Sequence, residues 1–187
     1  MKYNSYMRFI FNIFFFFTLG IVTYDPLRAS SYIPLNTAIQ SKKACLNIQN
    51  TDQKCFLWSV LASLHRVKTN PQRVTKYVQH ESSLNMNGID YPVKISSISL
   101  FEKQNNISVN VYGLDNAVVF PMRISDLRES DHHADLLYLN DDEKSHYVLI
   151  NDLSRLVSAQ INKSKRKKYI LNFVFMPAQV KMSYKAI

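Results

Sequence analysis

Glycine is scarce in this 187-residue chain, with three in all. So few glycines exclude Gly-rich phosphate loops, and neither a P-loop nor a dinucleotide-binding fingerprint is present. Cysteine is scarcer still. Cys45 and Cys55 cannot build a disulfide framework, and two thiols are too few for a structural zinc site without several histidines. The five histidines (His65, His80, His132, His133, His146) show no metal-ligand spacing with them. No metal and no cofactor is therefore expected, and the thiols read as reduced, which points to an intracellular, nuclear or cytoplasmic, compartment. Long apolar runs are also few. The one strong run is residues 9–22, Phe9 to Val22, behind Lys2 and Arg8. It has the charge order of a signal peptide, is short for a membrane span, and lacks a small-x-small cleavage site. A secretory signal, an interfacial anchor, a buried strand-like segment and a mistranslated gene start all stay open, and with them secretion or membrane association.

What the chain has is bulk and positive charge. Apolar residues make up 47%, with 11 Tyr and 11 Phe, enough for one domain with a real core. The net charge is +9. Lys163, Lys165, Arg166, Lys167 and Lys168 concentrate five charges near the C-terminus, where a solvated tail, a nuclear address or non-specific DNA contact would each fit.

The pattern divides the chain into an apolar segment (1–23), an extended arm (24–41), a folded domain (42–162) and a basic tail (163–187). Pro26 and Pro34 restrict their neighbours in the arm to extended geometry. Ala44 to Ile48 reads as a short strand. A polar turn, Asn50-Thr51-Asp52-Gln53-Lys54, then runs into an apolar helix from Cys55 to near His65, carrying Phe56, Val60 and Leu64 at i, i+4, i+8. Asn70-Pro71 opens a second helix to about Gln79. Asn87-Gly88 marks a turn. Ser96 or Ser97 caps a third helix ending at Asn105-Asn106. The period then changes to two. Strands are expected at 107–112, at 118–124 (Pro121 marking an edge or a bulge), at 136–139 and at 146–150, with a last helix over 153–161. Short connections favour an antiparallel meander. The expected fold is α+β: N-terminal helices packed on a C-terminal antiparallel sheet.

Chemistry concentrates at Cys55. A thiol in the first turn of a helix meets converging N–H groups and the positive end of the helix dipole, which stabilise a thiolate. A small buried hydrophobe is the alternative reading. His146 opens the last strand beside a polar turn. An imidazole there could hold the thiolate and donate a proton to a leaving group, or it could simply bond a carbonyl. A helix-start cysteine followed much later by a strand-start histidine is the arrangement of papain-type folds. Asn151 and Asp152 are the nearest candidates to orient the imidazole, although Asp152 lies about 20 Å along an extended strand. Gln49 and the N–H groups around Cys55 could stabilise an oxyanion, with Asp52 in the same turn or capping the helix. His65 sits about 15 Å along the helix axis from the thiol. His132-His133 reads as a surface pair.

Asp52-Gln53-Lys54-Cys55-Phe56 together with His146-Tyr147 resembles the OTU-type cysteine peptidases, which carry Asp-x-x-Cys-(Phe/Leu) at a helix start and His-aromatic on a late strand. Gln53 stands where that family has glycine, and Val148 where a polar residue often follows the histidine. The resemblance implies a cysteine-peptidase-like fold of OTU or papain type acting on a ubiquitin-like or polyprotein substrate. A longer similarity covers roughly Tyr24 to Tyr169. It is carried by Tyr24-x-Pro26-Leu27-Arg28-x-Ser30-Ser31-Tyr32-Ile33-Pro34-Leu35, by Lys42 to Asn50, by Cys55-Phe56-Leu57-Trp58-Ser59-Val60-Leu61, by Phe101 to Asn105, by Ile107 to Gly113 and by His146 to Ile150. These segments look like the region preceding the protein-primed family-B DNA polymerase of Maverick/Polinton transposons. That implies a mobile-element origin and a longer parent protein whose polymerase part is missing here. The Cys-x-x-Cys start that follows a Lys-Lys-Tyr in such proteins falls on Leu171 and Val174, so no finger is expected from the diverged tail. No polymerase carboxylate motif is present. Three expectations follow: a Cys55/His146 hydrolase module, a non-catalytic module tethering the polymerase to DNA, or a decayed remnant.

Overall fold

The computed structural model describes residues 32–161 apart from 128, 142 and 143. The apolar segment, the first part of the arm (24–31) and the basic run at Lys163, Lys165, Arg166, Lys167 and Lys168 lie outside the described residues.

A single helical turn, α1 (Thr37–Gln40), is capped by Asn36, whose side chain accepts from the Ile39 N–H. The short strand β1 (Cys45–Leu46) follows. The central helix α2 (Cys55–Leu64) is buried from Cys55 through Ala62, as its apolar sequence requires. The expected second helix is instead two tight 3-10 turns, Val74–Lys76 and Val78–Ser83, and the one fully buried residue of the stretch is Tyr77, which links them. A stretch with one apolar anchor cannot hold an amphipathic helix against a core. Helix α3 (Ile98–Asn105) ends on Asn106 in the left-handed conformation, φ 52°, a geometry asparagine tolerates.

Strands β2 (Ile107–Asp115), β3 (Val118–Arg123), β4 (His132–Asn140) and β5 (Ser145–Ile150) join β1 in one sheet ordered β1-β5-β4-β2-β3. Pro121 lies on the edge strand β3, beside a register shift at Val111/Tyr112. The antiparallel meander is corrected: the sheet is mixed, because β2 and β4 pair in parallel. The connection 124–131 crosses the end of β2, so β4 adds on the far side. Polar side chains of β2 hold that crossing. Asn110 Oδ1 accepts from the Ser125 N–H at 2.9 Å, and the Ser108 hydroxyl bonds Ser130 Oγ at 2.9 Å. Alternation marks Ser108 and Asn110 as a solvated face, yet both are buried beneath the crossing chain.

Both faces of the sheet are covered. On one, α2 and α3 pack Phe56, Val60 and Phe101 against Val109, Leu136 and Tyr147. On the other, Ile39 joins Leu153 and Leu156 of the short helix α4 (Leu153–Leu156), and Val157 of its link to α5 (Ser158–Ile161), over Leu137, Val148 and Ile150. No helix among the described residues is long and apolar enough to cross a membrane.

Candidate active site

The turn before α2 closes on one carboxylate. Asp52 accepts from the Lys54 N–H at 3.0 Å, from Asn50 Nδ2 at 2.9 Å and from the Trp58 indole at 3.0 Å. Asp52 is thus the staple of the turn, its oxygens committed to donors, while Lys54 occupies the cap position without a side-chain capping bond and pairs with Glu81 instead. The first helical bond runs from the Trp58 N–H to the Lys54 carbonyl, so the N–H groups of Cys55 and Phe56 precede the i→i−4 ladder.

Those N–H groups and that of Tyr147 face the Cys55 sulfur. Tyr147 is the residue after His146, so the fold brings the backbone beside His146 to a thiol 92 positions earlier in the sequence (147 minus 55). Ser59 Oγ donates to the Tyr147 carbonyl at 3.0 Å and fixes α2 against β5. The thiol is fully buried, and burial pushes its pKa up to about 11, with the Asp52 carboxylate adding to the rise; the three N–H groups pull the other way and do not prevail. Helix-start placement alone therefore does not make this a thiolate.

His146 is also fully buried. Its Nε2 lies 2.8 Å from Asn47 Oδ1, and Asn47 Nδ2 donates to the Ile33 carbonyl at 2.8 Å. The Tyr32 ring stands edge-on to the imidazole, centroids 5.9 Å apart. Asn47 follows β1, the strand next to β5; extending their register by one residue sets it opposite Val148. A polar group that sequence spacing would seek two residues after the histidine thus arrives from the neighbouring strand. Sequence reasoning missed Asn47; the available signal was a lone amide inside the apolar run Ala44 to Ile48.

The other expected site residues lie elsewhere. Asp152 caps α4 through the Arg155 N–H at 2.9 Å and pairs with the Arg155 guanidinium at 3.5 Å. Asn151 is exposed, its N–H bonded to the Ala44 carbonyl. Gln49 is exposed as well; its N–H bonds the Gln72 carbonyl and its backbone bridges to Arg73. His65, at the far end of α2, stacks on His80 at 3.7 Å, and its pKa is lowered by burial and then by the charges of His80 and His132.

His132 is exposed as expected, and His133 is half-buried, its ring tied into the sheet. Its Nδ1 lies 2.7 Å from Ser108 Oγ and its Nε2 2.9 Å from Asp135 Oδ1, with Asn110 Nδ2 bonded to the same carboxylate oxygen at 3.0 Å. Ser108 is buried and shared with Ser130 Oγ and the His132 carbonyl, so this cluster ties the crossing connection to the sheet. Among the described residues, no group of three or more His, Cys, Asp or Glu side chains is placed to hold a metal ion.

No protein family, curated protein or solved structure matches this chain.

Proposed function

We propose that the domain is a cysteine-peptidase-like module of OTU or papain type, in which Cys55 is the nucleophile, His146 the acid-base and Asn47 the group that orients the imidazole. The observation that carries this reading is the Asn47–His146 bond at 2.8 Å, one residue from the Tyr147 N–H that faces the Cys55 sulfur. Oriented amide, imidazole and helix-start thiol are the components that thiol hydrolysis needs. In the reaction, the Cys55 sulfur forms a bond to the substrate carbonyl carbon while His146 holds the thiol proton. The tetrahedral oxyanion meets the N–H groups at the start of α2, and the imidazolium passes its proton to the departing amine. Water then cleaves the thioester with His146 as base and restores the thiol. A ubiquitin-like or polyprotein chain is the substrate class that the OTU resemblance favours. The longer resemblance favours an origin in a transposon polymerase precursor, with the basic run as a separate, salt-sensitive DNA contact.

A thiol-directed activity probe tests this in a Cys45→Ala background. Labelling is expected at Cys55, lost in Cys55→Ala, and reduced at least about tenfold in His146→Ala at neutral pH, because no base then takes the thiol proton. Labelling indifferent to His146 would leave a non-catalytic polymerase-associated or DNA-tethering module, or a decayed remnant. The burial of both Cys55 and His146 favours that second reading.

A further inference from the structure

An imidazole serves a thiol only in one tautomer, because the nitrogen that takes the thiol proton must be the unprotonated one. In this site the selection traces back to the arm. A backbone carbonyl can only accept, so the Ile33 carbonyl, 2.8 Å from the Asn47 amide, turns the NH2 end of that amide towards itself. The Oδ1 end then faces His146 Nε2 at 2.8 Å, and an oxygen acceptor at that distance requires the proton on Nε2. In the neutral ring Nδ1 is left as the acceptor.

The position of the Ile33 carbonyl is itself fixed. Pro34 holds Ile33 in extended geometry. Ile33 and Leu35 pack on the apolar cluster above Val148 and Ile150, and Asn36 anchors the next turn by capping α1. Tyr32, from the same arm, stands edge-on to His146.

We propose that Tyr32–Leu35 is a positioning element of the site, in which the Ile33 carbonyl, through Asn47, selects the His146 tautomer with Nδ1 as proton acceptor. These are positioning residues: Tyr32 touches the imidazole, Ile33 touches its partner Asn47, and Pro34 and Leu35 hold the arm. The inference deepens the peptidase reading and rests on it for its meaning, but its test needs no turnover.

The experiment is nitrogen NMR of the full chain with ring-labelled histidine, His146 assigned by its loss in His146→Gln. The parent is expected to show a protonated Nε2 and an unprotonated Nδ1. Tyr32→Ala/Pro34→Gly and Asn47→Ala are each expected to raise the opposite tautomer to about 10% or more, the size of a readily detected minor state. Pro34→Ala repeats the measurement if the double variant does not fold. Folded arm variants that keep the parent's single tautomer overturn the proposal, as does a parent that carries its proton on Nδ1. Failure of the peptidase reading looks different: the tautomer follows the arm while the probe ignores Cys55.

Discussion

Asp52 shows how much one side chain can hold at the entrance to a helix. Three donors converge on its carboxylate, and one of them is the indole of a nearly buried tryptophan. Asp52→Ala strands those donors and is expected to cost about 1–3 kcal/mol in urea unfolding. The same carboxylate raises the Cys55 pKa, so Asp52→Asn is expected to make the thiol more reactive at a given pH. The buried thiol also marks the alkaline limb of stability. Its native pKa, about 11, lies above the ordinary value of 9.0, so above pH 9 the unfolded chain loses its proton first. That contribution is fully present below pH 9 and disappears as pH rises through about 11. Cys45, pushed up to about 12 by burial, acts in the same direction. Thermal unfolding between pH 8 and 11 is expected to fall less steeply in Cys55→Ala than in the parent.

Between elements, Glu102 of α3 and Arg123 at the end of β3 form the least exposed Arg/Lys–carboxylate pair among the described residues. Glu102 is buried, accepts from both terminal guanidinium nitrogens (Nη2 to Oε2 at 2.5 Å, Nη1 to Oε1 at 3.0 Å) and also accepts from the Val109 N–H. Arg123 further donates to the Val109 carbonyl at 2.6 Å, beside the register shift that bends the edge strand. Removing the cation leaves a buried carboxylate, so Arg123→Ala is expected to destabilise by about 3–5 kcal/mol in denaturant melts. The crossing 124–131 depends in turn on Asn110, which accepts from Ser125 and donates to Asp135. Asn110→Ala is expected to speed proteolytic cleavage in that connection while the far faces of the sheet stay protected, a difference that limited digestion reads directly.

Across the molecule, Phe56 stitches the layers: its ring meets Phe101 edge-on at 5.1 Å and Tyr147 at 5.3 Å, joining α2, α3 and β5 at the level of Cys55. Phe56→Ala is expected to cost about 3–5 kcal/mol in equilibrium unfolding, because a close-packed core relaxes only partly into the void. Element positions were largely legible in the sequence. Cys55–Leu64, Ile98–Asn105 and the strands beginning at Ile107, Val118 and Ser145 fall within a few residues of their periodic signals, since periodicity is how a chain encodes which side faces a core. The mixed sheet was not legible. Ser108 and Asn110 obey the alternation of a solvated face, and only the chain that folds over them turns that face inward. The cysteine and histidine were legible by residue type and spacing. Their surroundings were not: Asn47, Ile33 and Tyr32 reach His146 across a strand pairing that local pattern does not specify, and burial, a property of the whole packing, reverses the pKa shift that a helix start would give Cys55. The sequence by itself placed most of the elements and put Cys55 and His146 forward by residue type and spacing, because periodicity and residue type are local. The tertiary structure alone decided which of them meet, and whether the thiol is charged, because pairing and desolvation act between residues far apart in the chain.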